Sequence, residues 1–373
     1  MNMENILTSI AELQGRHAVK ISIFGLVLTL ILGMGLLNLR LETDFSKELP
    51  QDNPAIKLDN RVRDVFGGTD VVLVVAQLNH SSTSRYAVRD IRDQRVREML
   101  LKLGNEIKDE RGVDSVYPPP QYFKIPWLFS HSKNFFNKDY SSTLLYIYTS
   151  IGKSNDRIKA LSNAIKQDIA SISLPPGVRL RLTGMVIVRA KLLEILVSDA
   201  KLTIFFASII ILLVLTGINL LANKSIFRGM EIFIPLVLSL IWTLGTMGWL
   251  NIPLSVVTVG VGAMILGLGV EYSVFYVTRF EEERDKGKDY TTSLKIALNE
   301  VGRAIIGSST TTIVGFLALL TASLPMLHHL GFTLALGIFY CVVAAIFLNP
   351  ALLVVEKKVL NKLSLILPEM LKR

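Results

Sequence analysis

Six stretches of this 373-residue chain are apolar over the length needed to cross a bilayer, at about 18–38, 202–222, 232–250, 252–278, 304–324 and 330–355. A hydrocarbon core of about 30 Å takes ~20 helical residues to span. No water is present there to satisfy backbone polar groups, so only helices or closed barrels can cross it. The expectation is a polytopic α-helical membrane protein with six transmembrane helices. Five stretches carry no charge away from their ends, and the fourth carries Glu271. The first follows Glu4 and Glu12, precedes no Ala-x-Ala site and exceeds a signal-peptide core of about 7–15 residues, so it reads as an uncleaved anchor.

Orientation follows from Lys and Arg in the short loops. Fifteen, from Arg16 and Lys20 through Lys372 and Arg373, fall on one side, and the connections 251–253 and 323–329 on the other side hold none. This predicts a cytoplasmic N-terminus (1–17), a first span (18–38), an external segment (39–201), spans two to six (202–355) and a cytoplasmic tail (356–373). The chain would then be a multi-pass protein of the cell membrane with its large domain extracellular or periplasmic. The net charge of +9 marks topology and attraction to anionic headgroups, and gives no reason to invoke nucleic acid. A single cysteine, Cys341, excludes an internal disulfide and a multi-thiolate zinc site.

The external segment reads as α+β. Residues 69–78 (TDVVLVVAQL) suit a buried strand. A helix capped by Ser84 is expected to about Glu110, with Gly112 beyond its end, followed by strands at 113–116 and 142–149. A second helix from Ser154 or Asn155 to about Ser171 and a strand at 178–183 complete the order βαββαβ of a ferredoxin-like domain. From Gly184 a helical stretch leads into the second span.

An insertion at 117–140 holds three consecutive prolines and eight of the chain's 30 aromatic residues. Tyr122, Phe123, Trp127 and Phe129 are its candidate substrate-contacting side chains; a satellite core packed on itself is the other reading.

Glu271 is the residue with most chemical content. A carboxylate in hydrocarbon costs at least ~2.5–3.5 kcal/mol, and is retained where it meets a polar cavity or partner. Glu271 lies eight positions, about 12 Å, from Arg279 at the end of its span. Burial penalises the charged form, which suits a group that takes up and releases a proton; a permanently protonated structural carboxyl is the alternative. Thr310, Thr311 and Thr312 lie at similar depth in the fifth span, and hydroxyls can satisfy either protonation state. Gly260, Ala263 and Gly267 on one span and Gly307, Thr311 and Gly315 on the other form small-residue stripes. Such stripes predict close approach of the two helices.

Other motifs carry less. His328-His329 lacks acidic or thiol partners for a metal, and the arginines from Arg85 to Arg97 alternate with acids as on a solvated helix. Gly152-Lys153-Ser154 lacks the upstream glycine of a phosphate loop, so ATP is not expected as a partner. No hydrolase or metalloprotease motif is present, and the chain reads as a non-enzyme without cofactor.

Gly267-Leu-Gly269-Val-Glu271-Tyr272-Ser-Val-Phe followed by Arg279-Phe-Glu-Glu-Glu-Arg284 resembles the fourth-span signature of the resistance-nodulation-division (RND) superfamily. The likeness is nearest to its MMPL and hydrophobe-amphiphile efflux branch, where the usual acid is Asp. Residues 301–319, which include Gly307, Ser308 and Thr310 to Thr312, look like the matching fifth-span motif. One span, an external porter-type domain and five further spans is also the family layout. The resemblance implies a proton-driven exporter of hydrophobic or amphiphilic molecules such as lipids or drugs. It further implies a Glu271–Tyr272 relay served by Ser308 and Thr310 to Thr312, with Gly269 among the packing glycines and protons as coupling ion. Typical members carry two such halves and this chain has one, which implies a homo-oligomer, most simply a dimer. Other resemblances are to SecD/SecF-like export partners, whose fourth spans differ from GLGVEYSVF, and to sterol-sensing lipid sensors or scaffolds.

Overall fold

A computed structural model describes residues 3–66, 70–79, 81–119, 135–151, 154–221 and 227–357. Tyr122, Phe123, Trp127, Phe129 and the Gly152-Lys153 pair lie outside the described residues. The chain divides into two compact units, Thr43–Ile195 and the remainder (Met1–Glu42 with Leu196–Arg373).

The larger unit is helical. Its helices are α1 (Met3–Gly33), the part of α5 (Met185–Leu221) from Leu196 onward, α6 (Phe227–Trp249), α7 (Val261–Asp285), α8 (Tyr290–Leu317) and α9 (Pro325–Val343). Six segments are long and apolar enough to cross a membrane: Leu7–Asn38, Met185–Leu221, Arg228–Trp249, Val261–Asp285, Tyr290–Thr321 and Pro325–Lys357. Half or more of the apolar window is buried in α6, α7 and α9, against 6–11% in α1, α5 and α8. The first three therefore form the interior of the bundle, and the others leave broad apolar faces for lipid. Leu236, Ile265, Tyr272, Tyr276, Ile338 and Cys341 lie in the shared core.

Close crossings within this unit are set by glycine. A Cβ on Gly245 would come within 2.0 Å of the Leu32 carbonyl oxygen, and one on Gly248 within 1.8 Å of the Gly35 carbonyl oxygen. The backbone of α6 thus touches the end of the first span, where α1 tightens into a 3-10 turn at Met34–Asn38.

Two span boundaries differ from the hydropathy reading. The fourth helix starts at Val261, not near 252, because the apolar segment before it is used otherwise. Leu254 forms a parallel bridge with Leu41: its N–H donates to the Arg40 carbonyl (2.8 Å) and its carbonyl accepts from the Glu42 N–H (3.0 Å). Gly260 is consequently the cap preceding the helix rather than a position within it. The fifth helix begins at Tyr290, fourteen residues before the apolar run, because Asp289 caps it by accepting from the Thr292 N–H (3.1 Å). Hydrogen bonds from Thr292 hold the Asp289 carboxyl below the usual carboxylate range.

The smaller unit holds a short helix α2 (Pro54–Phe66) and the order β1 (Asp70–Leu78), α3 (Gln94–Lys108), β2 (Val113–Tyr117), β3 (Ser142–Thr149), α4 (Asn155–Ser171), β4 (Val178–Gly184). The strands form one antiparallel sheet in the order β2-β3-β1-β4, with Val74 opposite both Leu145 and Leu182. Alternation along β1 sends Val72, Val74 and Ala76 inward, where they share a core with Val96, Leu100, Leu103 and Ile107 of α3 and Leu161 and Ile165 of α4. The helix expected from Ser84 starts instead at Gln94. Ser84 closes a turn by accepting from the Tyr86 N–H, and Asp93 is the cap, accepting from the Arg95 N–H (2.9 Å). Both sites offer a short oxygen side chain, and the buried Val88 and Ile91 fix the intervening segment against the core.

Arg189, near the start of α5, is buried and reaches Asp44 (3.0 Å) and Asp70 (3.4 Å) in the same unit. Arg189→Ala removes the cation that two largely buried carboxylates share. The expected destabilisation is about 3–5 kcal/mol, measurable as a fall in the thermal unfolding midpoint of the full chain in detergent. An unchanged midpoint would show that the triad carries no stability.

Candidate functional site

Glu271 sits ten residues into α7, about 15 Å from its start and about 21 Å from its end at 1.5 Å per residue. It is therefore in the middle of a membrane-length helix. Its side chain is exposed on the outside of the bundle, in a stripe with Met264, Gly267, Leu268, Phe275 and Thr278 at helical spacing. Among the described residues it has no hydrogen bond or ion pair.

Tyr272 points the other way and is 1% exposed. Its phenol lies beside the hydroxyls of Thr312 and Ser308 on α8 and in electrostatic reach of Glu271. Thr310 donates to the Ile306 carbonyl (2.6 Å), while Thr311 (2.7 Å) and Thr312 (3.0 Å) donate to that of Ser308. Their protons are thus occupied by the helix backbone, and their lone pairs remain free to accept from a neighbouring phenol or protonated carboxyl. Of the expected relay, Tyr272, Ser308 and Thr312 are brought together; Thr310 and Thr311 are exposed on α8.

The glycines are arranged differently from the tight seam expected. A Cβ placed on Gly260, Gly267, Gly307 or Gly315 meets nothing within 4 Å, so these positions do not hold α7 against α8. Ala263 is half-buried on α7. Gly269 does mark a close approach, but to α9: a Cβ there would lie 2.3 Å from the Cys341 sulfur. Cys341 in turn contacts the Ser239 hydroxyl at 3.1 Å, which ties α6, α7 and α9 together behind the acid. The period of the small residues is as expected; the partner that it faces is not another helix of this chain among the described residues.

Of the histidines, His328 donates from Nε2 to the Ala322 carbonyl (2.6 Å), a capping role at the start of α9. In the aromatic insertion, the described Phe135 and Tyr117 make edge contacts with Tyr146 and Tyr148 of β3, and the Arg92 guanidinium lies 4.2 Å from the Tyr140 ring centre.

An ion-pair cluster at the charged end of the bundle was not expected from the sequence beyond its content of Lys and Arg. Arg228, at the start of α6, pairs with Glu231, with Glu281 on α7 (2.6 Å) and with Glu356 (2.8 Å). Arg279 holds Glu282 (2.6 Å), the buried Glu283 (2.9 Å) and Glu300 of α8 (2.5 Å). Acids interleaved with the basic residues of 279–303 were the available signal. The cluster ties the start of α6 and the end of α7 to Glu300 of α8 and to Glu356 near the end of the last span, about the level where the apolar runs stop.

The MMPL family profile matches residues 49–360. A membrane protein of Methanocaldococcus jannaschii is 33% identical over 95% of each chain. A siderophore exporter of Mycobacterium tuberculosis is 25% identical over 57% of this chain, and the match spans 22% of the exporter. The hedgehog release protein Dispatched of the water bear Hypsibius dujardini superposes with a TM-score of 0.65 at 14% identity. That superposition covers 95% of this chain and 50% of Dispatched, and at this identity it speaks for the fold alone. A polytopic bundle with six membrane-length helices, the acid in the middle of the fourth and a family match over most of the sequence agree: the chain is a multi-pass membrane protein that belongs to the MMPL family.

Proposed function

We propose that this protein transports lipophilic or amphiphilic molecules, driven by protons that pass through Glu271. The observation that carries the reading is the placement of Glu271, halfway along a membrane-length helix with Tyr272, Ser308 and Thr312 directly behind it. A carboxyl at that depth is costly unless it is neutral or has a polar partner. Tyr272 and the Ser308 and Thr312 oxygens offer a short chain of donors and acceptors along which a proton can step. The siderophore exporter among its relatives supports export as the class of work.

The open stripe around Glu271 further supports a homodimer. Gly267, Gly307 and Gly315 present backbone with nothing against it, and the acid between them faces away from its own bundle. A second copy placed on this face by a two-fold axis would bring the two acids together, cover them from lipid and allow close backbone approach. The smaller unit, with strand order β2-β3-β1-β4 and two helices, is read as an external ferredoxin-like porter domain.

The test has two parts. Lipophiles that co-purify with the protein are identified by mass spectrometry and loaded into proteoliposomes, where protein-dependent movement across the bilayer is expected under a pH gradient. No movement of any co-purified lipophile under either polarity would overturn transport. For the dimer, cysteine is placed at Gly267 in a Cys341→Ala background and oxidised in native membranes. A covalent dimer is expected, and a yield no higher than that from cysteine at the lipid-facing Leu213 would overturn this interface.

A further inference from the structure

A cavity of about 410 Å³ lies between α1, α6 and the last part of α9, away from the Glu271 face. Its wall is formed by carbon: Phe24 and Leu28 of α1, Trp242 of α6, and Phe347 and Leu348 of the π-turn Ala344–Leu348 that follows α9. At one end it is completed by the ring of His17 and the stem of Lys20. Two backbone irregularities produce it. The helix α1 leaves helical geometry at His17 (φ −124°, ψ 26°), and the last span widens at its π-turn. The buried Gln14 fixes one against the other by donating to the Ile346 carbonyl (2.6 Å). Gly25 then lets Leu348 sit against α1, since a Cβ there would lie 2.5 Å from a Leu348 methyl.

The shape is graded in polarity. From Lys20 to Leu28 the lining runs eight residues along α1, about 12 Å, within the ~15 Å hydrocarbon depth of one leaflet. Lys20 belongs to the lining at its polar end, and Arg16 is exposed four residues before it; neither forms an ion pair with a described residue. The nearby Glu12 lies in electrostatic reach of Arg16 but is paired with Lys295 (2.8 Å), so among the described residues the bases at this end outnumber the acid. Basic pockets between transmembrane helices suit anionic lipid headgroups.

We infer that this groove is a binding site for one anionic phospholipid, its acyl chain against Phe24, Trp242 and Phe347 and its phosphate between Arg16 and Lys20. The site is independent of the proton-relay reading. It would hold a lipid in place against the first and last spans, where a lipid merely bordering the protein would exchange freely.

The full chain in detergent, given phosphatidylglycerol or phosphatidylcholine in equal amounts, tests this by native mass spectrometry. Each basic residue near a headgroup is worth about fivefold in binding, so phosphatidylglycerol should be retained about 25-fold better. Arg16→Gln with Lys20→Gln should remove that preference, with the thermal midpoint of the lipid-free protein unchanged. Phosphatidylglycerol brominated on its acyl chain should quench the fluorescence that Trp242→Phe removes, and should not do so in the double variant. Equal retention of the two lipids, or a preference that survives the double substitution, would overturn the site. A preference with no quenching of Trp242 would place the lipid elsewhere and also overturn it.

Discussion

Glu271→Gln should reduce pH-gradient-driven movement of substrate in proteoliposomes by at least about a hundredfold, the usual scale for losing a group that transfers protons. Gln preserves the size of the side chain and its ability to hydrogen-bond, and removes only the exchangeable acid proton. The folded protein should persist, because a neutral amide is no harder to place in hydrocarbon than a carboxyl. Glu271→Asp keeps the acid one methylene short and should retain part of the rate. Tyr272→Phe removes the phenol beside Ser308 and Thr312 and should fall between the two. Full gradient-driven transport by Glu271→Gln would leave Glu271 with a structural role and move the chain toward a lipid sensor or scaffold.

The largest effect on folding is expected at Gly248. Its would-be Cβ lies 1.8 Å from the Gly35 carbonyl oxygen, and Gly245 is similarly placed at 2.0 Å from that of Leu32. These neighbours are backbone, so no rotamer change relieves the overlap, and α6 must separate from the end of the first span. Overpacking usually costs about 1–3 kcal/mol, and a backbone clash at a helix crossing belongs at or above the top of that range. Gly248→Val should therefore sharply lower the yield of monodisperse protein and its melting temperature. Gly267→Val is the matched control, because its added atoms meet open space within the chain. It should leave the fold intact and weaken only association between copies, seen as a shift to monomer in gentle detergent. Equal melting temperatures for Gly248→Val and Gly267→Val would contradict the assignment of one glycine to the bundle and the other to its outer face.

The contrast between these glycines also shows how far sequence reasoning reaches. Hydropathy reveals that a segment is apolar, and six such segments were legible because lipid and core both demand it. It does not distinguish an apolar helix from an apolar strand bridge, so the segment before Val261 was read as span although Leu254 pairs with Leu41. Helical spacing showed that Gly267 and Glu271 share a face, as do Gly307, Thr311 and Gly315. Spacing carries no information about which neighbour a face meets, and the face proved open. Gly245 and Gly248, which do bring two backbones together, have a partner more than two hundred residues away and no motif to announce it. The relay was partly legible for a chemical reason: an acid in the middle of a span is expensive, and the hydroxyls that serve it share its depth. Which hydroxyl reaches Tyr272 depended on the rotation of α8, and that is set by packing against α7 and α9. The cap at Asp93 was lost to Ser84 because both are good N-caps, and only the burial of Val88 and Ile91 decides between them.

The decisive measurement is of protons themselves. Wild-type protein in liposomes with a pH-sensitive dye inside, loaded with its co-purified lipophile, should show proton flux that begins with substrate movement and runs counter to it. Collapsing the gradient with a protonophore should stop that movement. Substrate that crosses at an unchanged rate after the gradient is collapsed, with no accompanying proton signal, would contradict proton-driven transport by this protein.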